Sequence, residues 1–291
     1  CHNIQEAIDA VPDAPASGYT VQLMQGVYIV SSTQPYSLVI KNKHLLNFSG
    51  WMVGGNWKSV NLNISNPVGG GILIDNSTGD MEWMQLNGTT HNSLITIDQS
   101  SQYNLAFLPI NETLTNALFI KNSSNITIGS TEITADDAGL VVGSVTNLNL
   151  TTSKIYGSLT GITINNSTGT IRHNLFRNNR RNGIYIYDNN NLIITSNTIV
   201  NNNESGIDPD FTGGIHVVGT QTNQTVNLTL NKNIIAFNQH NGFLIEGTNN
   251  SFVTASFINN DIFGNTKNFS NYLSPVGQNG NISADPLFDM S

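Results

Sequence analysis

All four arginines of the chain, Arg172, Arg177, Arg180 and Arg181, fall in one short stretch. Tyr185 and Tyr187 follow on the alternating run GIYIY, and GIDPDFTGGIHV then brings Asp208, Asp210 and His216. An arginine can neutralise a carboxylate, and Tyr, Asp or His can hand over or accept a proton. Cleaving or epimerising a uronic-acid polymer needs such a set: a cation against the sugar carboxylate and a base for the C5 proton. Arg180, Arg181, Tyr185, Asp208, Asp210 and His216 are therefore the candidate catalytic residues. The same residues suit two other arrangements. One is an Arg–Glu/Asp ladder, with Glu204 stacked near Arg181, beside a surface loop. The other is a face that binds glycan without chemistry. Asp136 and Asp137 form a further carboxylate pair of the kind glycoside hydrolysis uses. Asp136 also falls on a repeating polar position, which gives it a structural reading.

These residues need a scaffold, and the bulk composition narrows it. The chain has 291 residues, one cysteine, 10% charged residues and a net charge of −8. Average usage is about 25% charged, so the surface is polar but mostly uncharged. An acidic balance argues against a nucleic-acid partner. One cysteine permits no internal disulfide. No apolar run reaches the ~18 residues of a membrane span. The carboxylates near Asp208 and Asp210 are too few for the six or more oxygens of a calcium site. No Cys/His cluster suggests zinc. No metal or cofactor is expected. The start at Cys1 reads as a mature form or fragment boundary.

A repeat organises the chain. A small residue followed by apolar-x-apolar recurs at Ala117, Gly139, Gly161 and Gly183 with a step of 22, and after 23 at Gly206. Polar residues five apart keep the same register: Thr131/Asp136, Ser153/Ser158, Asn174/Asn179, Asn197/Asn202, Asn233/Asn238 and Asn260/Asn265. A period this short holds no helix–strand pair, and its apolar runs alternate with period two. Three short strands per turn, each turn stacked ~4.8 Å from the next, give a parallel β-helix. Stacking puts each polar turn residue over its equivalent, so Asn is expected to form amide ladders and to occupy left-handed turns. NIQEAIDAV (3–11) has a helical apolar face, with Asn3 as N-cap and Glu6 at the capping-box position. The expected organisation is one all-β domain, 1–291. Residues 1–19 form an N-terminal cap with a short helix, 20–270 about ten turns of ~22 residues, and 271–291 a C-terminal tail or cap.

The opening IQEAIDAVPDAPASGYTVQLMQGVYI, the Asn-rich Gly-Ile turns and the closing ISADPLF resemble the right-handed parallel β-helix, or pectate-lyase-like, superfamily. That resemblance implies a right-handed coil. It also implies one of several activities, since the superfamily includes polysaccharide lyases, pectin hydrolases, alginate epimerases, phage tailspikes and non-enzymatic surface proteins. Pectin hydrolases carry an Asp pair placed like Asp136-Asp137, but with a third Asp one turn earlier and Gly-His-Gly one turn later. Those places here read TNALFI (115–120) and GSLTGI (157–162). Asp208-Pro209-Asp210 resembles the Asp-Pro-His of alginate epimerases, with the His replaced.

Sequons supply the last signal. Asn-x-Ser/Thr occurs at Asn47, Asn63, Asn76, Asn87, Asn111, Asn122, Asn125, Asn149, Asn165, Asn166, Asn203, Asn223, Asn227, Asn249, Asn268 and Asn281. That is about twice what random placement at this composition gives. Either N-linked glycans are attached, or alternating Asn, Ser and Thr in strands and turns inflates the motif. The leading expectation is an extracellular, N-glycosylated structural or adhesive protein of a cell or virion surface, archaeal or eukaryotic in type. Polysaccharide binding and self-association into a filament or oligomer are its expected interactions. The alternative is a carbohydrate-active enzyme: a lyase, epimerase or depolymerase.

Overall fold

The computed structural model describes residues 3–13, 17–51, 60–203, 212–219, 225–246 and 252–288. The chain divides into two compact units, Cys1–Ser153 and Lys154–Ser291. Every strand pairing among the described residues is parallel, and the only helix among them is Ile4–Asp9.

The first unit begins with that helix. The Asn3 side chain accepts from the Glu6 amide at 2.9 Å, and its own amide nitrogen donates to Glu6 Oε1 at 3.0 Å. The expected cap thus forms, with Glu6 answering the Asn3 side chain. Ile8 is fully buried. Gln5 uses its amide as a neighbouring strand would use its backbone. Its Nε2 donates to Val39 O at 2.9 Å and its Oε1 accepts from Val39 N–H at 2.8 Å. The backbone of Val39, midway along strand Tyr36–Lys41, is thereby satisfied on this edge. Lys43 is buried and donates to Val11 O and to Asp13 Oδ1.

Behind the helix, successive turns repeat one register. Ile72, Ile95, Leu118 and Leu140 form one inward file, and Ile74, Ile97, Ile120 and Val142 the next. All eight are fully buried. Each such aliphatic contributes roughly 1.5–3 kcal/mol on burial. A second sheet is made by strands such as Val60–Asn66, Gln85–Thr90, Pro109–Glu112 and Glu132–Thr134. The chain turns into this sheet through left-handed residues: Trp83, Phe107, Ser130 and Thr152 all have φ between 50° and 61°. The next residue points inward: Met84, Leu108, Thr131 and Ser153 are all buried. A ladder the repeats did not advertise runs through Ser77, Ser100 and Ser123. Each of the last two accepts, at 3.1–3.2 Å, from the backbone N–H of the serine one turn earlier. Asp136 is exposed in the turn before strand Ala138–Gly143.

The second unit uses longer strands, Thr160–Arg172 and Asn182–Thr195, paired along most of their length with one irregularity between Asn165 and Ser167. Its turns carry the expected asparagine ladders. Asn174, Asn197, Asn233, Asn260 and Asn281 form one, with amide-to-amide bonds of 3.0–3.1 Å. Asn179, Asn202, Asn238 and Asn265 form the other, at 2.8–2.9 Å. Asn197 shows the unit of construction. Its Oδ1 accepts from both nitrogens of Asn174, and its Nδ2 donates to Ile171 O, Thr195 O and Asn233 Oδ1. Asn233 lies 36 residues on rather than 23, yet keeps that bond, so the inserted residues leave the ladder undisturbed. Asn281 belongs to this ladder and Ile282 forms an isolated bridge with Asp261.

Deleting a rung strands buried donors and acceptors on two neighbouring turns. Asn197→Ala is expected to lower unfolding free energy by about 2–4 kcal/mol. Asn191→Ala, an exposed strand position, should stay within about 0.5 kcal/mol. Urea melts followed by far-ultraviolet circular dichroism check both, and equal losses would refute the ladder's role.

Candidate functional site

In the second unit, strand alternation sends Ile184 and Ile186 into the core and leaves Tyr185 and Tyr187 half-buried on the outer face. Register carries one outer file through Thr163, Tyr185, His216 and Leu244. The Tyr185 and His216 rings lie 4.9 Å apart, and those of Tyr185 and Tyr187 5.5 Å apart. His216 is only 3% exposed, so a residue on the outer face is nonetheless covered. Its Nε2 sits 2.9 Å from Glu246 Oε2. Asn165 Nδ2 donates to Tyr187 Oη at 2.9 Å.

Electrostatics follow from this packing. Burial first, then the Glu246 carboxylate, push the Tyr185 phenol above its usual value of 10.0, while the Arg181 charge pulls the other way. Burial first, then Asp188, raise Tyr187 as well, against the hydrogen bond from Asn165. Both phenols are thus protonated at neutral pH.

The sequence candidates separate into three groups. Tyr185 and His216 come together, and the Arg181 charge acts on the Tyr185 phenol. Arg180 and Arg181 enter strand Asn182–Thr195 through backbone bonds to Ser158 O and Leu159 O, at 2.8 Å and 2.7 Å. Arg177 instead lies 5.5 Å from the Tyr156 ring, and Arg172 is exposed at the end of strand Thr160–Arg172, so the four arginines do not converge. Asp208, Asp210 and Glu204 lie outside the described residues. Glu246 was missed. Its signal was present: aligning NGFLIE (241–246) on GGIHVV (213–218) puts Glu246 opposite Val218, diagonal to His216. Among the described residues no group of three His, Cys, Asp or Glu side chains could hold a metal.

The sequon asparagines also sort by position. Asn76, Asn111, Asn122, Asn125, Asn166 and Asn227 are exposed; Asn47, Asn63, Asn87, Asn149, Asn165 and Asn268 are partly so. Asn223 and Asn249 lie outside the described residues. Asn203 and Asn281 are corrections to the expected acceptor list. They are 0% and 1% exposed, Asn203 Nδ2 bonds to Thr212 Oγ1, and Asn281 is a ladder rung. Neither amide nitrogen can carry a glycan inside the folded chain.

Comparison with known proteins agrees with this architecture. The family described as "Right handed beta helix region" matches residues 49–227 and 116–282, and the chain belongs to that family. Pectate lyase Pel9A is similar in structure at 14% identity and a TM-score of 0.53, covering 94% of this chain and 67% of its own. The A-module of the Azotobacter vinelandii mannuronan C-5 epimerase AlgE4 is similar at 16% identity and a TM-score of 0.51, covering 92% and 83%. At such identities the likeness is one of fold. No curated protein matches the sequence significantly.

The raised phenol gives a test with a definite sign. Above pH 10 the unfolded chain releases the Tyr185 proton that the native chain still holds. Native stability therefore falls as pH rises from 10 through the folded-state value. Tyr185→Phe should flatten that fall, measured by urea melts between pH 9 and 11. Glu246→Gln should lower the Tyr185 midpoint without bringing it to 10, read by tyrosine ring-carbon NMR. A midpoint unmoved by the Gln variant would contradict the pairing of Glu246 with this site.

Proposed function

We propose that this chain is an extracellular, N-glycosylated β-helix protein of a cell or virion surface that binds polysaccharide around Tyr185. One observation carries the reading: Tyr185 and Tyr187 lie side by side on the outer face beside the His216–Glu246 pair, with the Arg181 charge acting on Tyr185. Aromatic faces take the apolar faces of sugars, phenols bond their hydroxyls, and a guanidinium accepts a carboxylate. The exposed turn sequons support the glycoprotein part. No described helix is long and apolar enough to cross a membrane.

The carbohydrate-active enzyme is a second reading, favoured by the His216–Glu246 bond beside a protonated Tyr185. A lyase or epimerase would use Tyr185 to donate a proton and Arg181 to neutralise the uronate. It ranks second because the imidazole that would serve as base is buried with Nε2 held by Glu246.

Affinity gel electrophoresis against polygalacturonate, alginate and neutral glucans, run beside an assay for unsaturated or reducing ends, tests both. Retardation lost in Tyr185→Ala and Arg181→Ala, with no cleavage, is the expected result. Cleavage abolished by His216→Ala would establish the enzyme instead. No retardation on any polymer would overturn the binding site. Mass mapping of the protein from its own host should find glycan at Asn76, Asn122, Asn125, Asn166 or Asn227 and none at Asn203 or Asn281. A wholly unmodified native protein would defeat the glycoprotein reading.

A further inference from the structure

A groove on the outer face of the second sheet, within the first unit, is used by neither reading above. Register aligns Ile29, Asn63, Asn87, Asn111 and Thr134 in one file, one residue per turn. Ser65 and Thr89 pair in the adjacent file. Residues of both files line a depression of about 230 Å³. No charged side chain lines it.

The polar groups of this groove are held in place before any ligand arrives. Asn87 Nδ2 donates to Asn63 Oδ1 at 2.8 Å, and Gln85 Nε2 to Asn87 Oδ1 at 3.2 Å. Thr134 Oγ1 donates to Asn111 Oδ1 at 2.8 Å. These bonds use one of the two amide hydrogens of Asn87 and neither of those on Asn111. The result is a row of amide and hydroxyl groups repeating at the strand spacing of about 4.8 Å. Ile29, 78% exposed, adds an apolar wall at one end.

We propose that this groove binds a neutral linear polysaccharide laid across the strands, along the file. Pyranose units in an extended chain repeat at close to the strand spacing. The turns of Asn63 and Asn87 therefore each meet one sugar with one amide and one hydroxyl, from Ser65 and Thr89. Groups already ordered lose little freedom on binding, which favours affinity. With no cation in the groove, nothing balances a uronate, phosphate or nucleic-acid backbone. Asn63, Asn87 and Asn111 are also sequon asparagines, and a glycan on any of them would fill the groove. Binding therefore requires these three unmodified, whatever the state of the turn sequons.

The test is calorimetric titration of the full-length chain, produced in a host without N-glycosylation, with cellohexaose, xylohexaose and mannohexaose. Trigalacturonate is the acidic control. Saturable binding of at least one neutral hexasaccharide is expected, weakened tenfold or more by Asn87→Ala and by Thr89→Val. Thermal unfolding of each variant shows that it folds, and either variant suffices. Absence of binding by all three neutral sugars overturns the proposal. So does binding that both folded variants leave unchanged, or tighter trigalacturonate binding that they weaken. Neutral-sugar binding lost only in Tyr185→Ala would assign the sugar to the second unit's face and overturn the groove, while sparing the earlier reading.

Discussion

In a parallel coil each side chain stands over its equivalent one turn away, about 4.8 Å distant, and must bond or pack with a near copy of itself. Inside the coil, away from bulk solvent, that condition is severe. Aliphatic residues meet it by packing, as the Ile72–Leu140 file does. Among polar side chains the carboxamide meets it best, because one group both donates to and accepts from its copy. A column of carboxylates would repel and a column of ammonium groups would find no acceptor. The asparagine columns of the second unit therefore do two things at once. They satisfy backbone groups freed at the turn, and they lock each turn to the next. The first unit meets the same condition with Ser77, Ser100 and Ser123 and with the buried Met84 and Leu108.

Because the interior is so constrained, chemistry is left to the outer files, and there register decides which residues meet. Tyr185 and His216 are 31 positions apart in the chain but adjacent on the sheet, and Glu246 arrives from 30 residues further on. The inserted residues between Asn197 and Asn233 change sequence distance without changing this adjacency. The outer face pays no regard to charge economy either: His216 is enclosed by its neighbours although its backbone position faces outward.

The same alternation accounts for part of the sequon excess. In Asn63-Ile64-Ser65, Asn149-Leu150-Thr151 and Asn227-Leu228-Thr229 the middle residue points into the core and the flanking polar residues face out. Outward Asn, inward aliphatic and outward Ser or Thr spell the acceptor motif whenever the outer face is rich in these residues. Exposure therefore says more about modification than the motif does. It separates Asn76 and Asn122, in open turns, from Asn203 and Asn281, which are interior.

The amino-acid sequence by itself determined the coil, its period, the capping helix and the two asparagine columns. All of these depend on residue types recurring at fixed spacing, and stacking converts spacing directly into contact. It also placed Tyr185 and His216 in one outer file, since alternation and period suffice for that. Only the tertiary structure decided that Arg172 and Arg177 turn elsewhere, that Glu246 completes the pair with His216, and that Asp136 is exposed. The burial of His216, the shift of the Tyr185 phenol and the interior position of Asn203 were likewise beyond the linear pattern. Burial and diagonal contact depend on how neighbouring turns fill the space around a side chain, and a one-dimensional repeat carries no record of that.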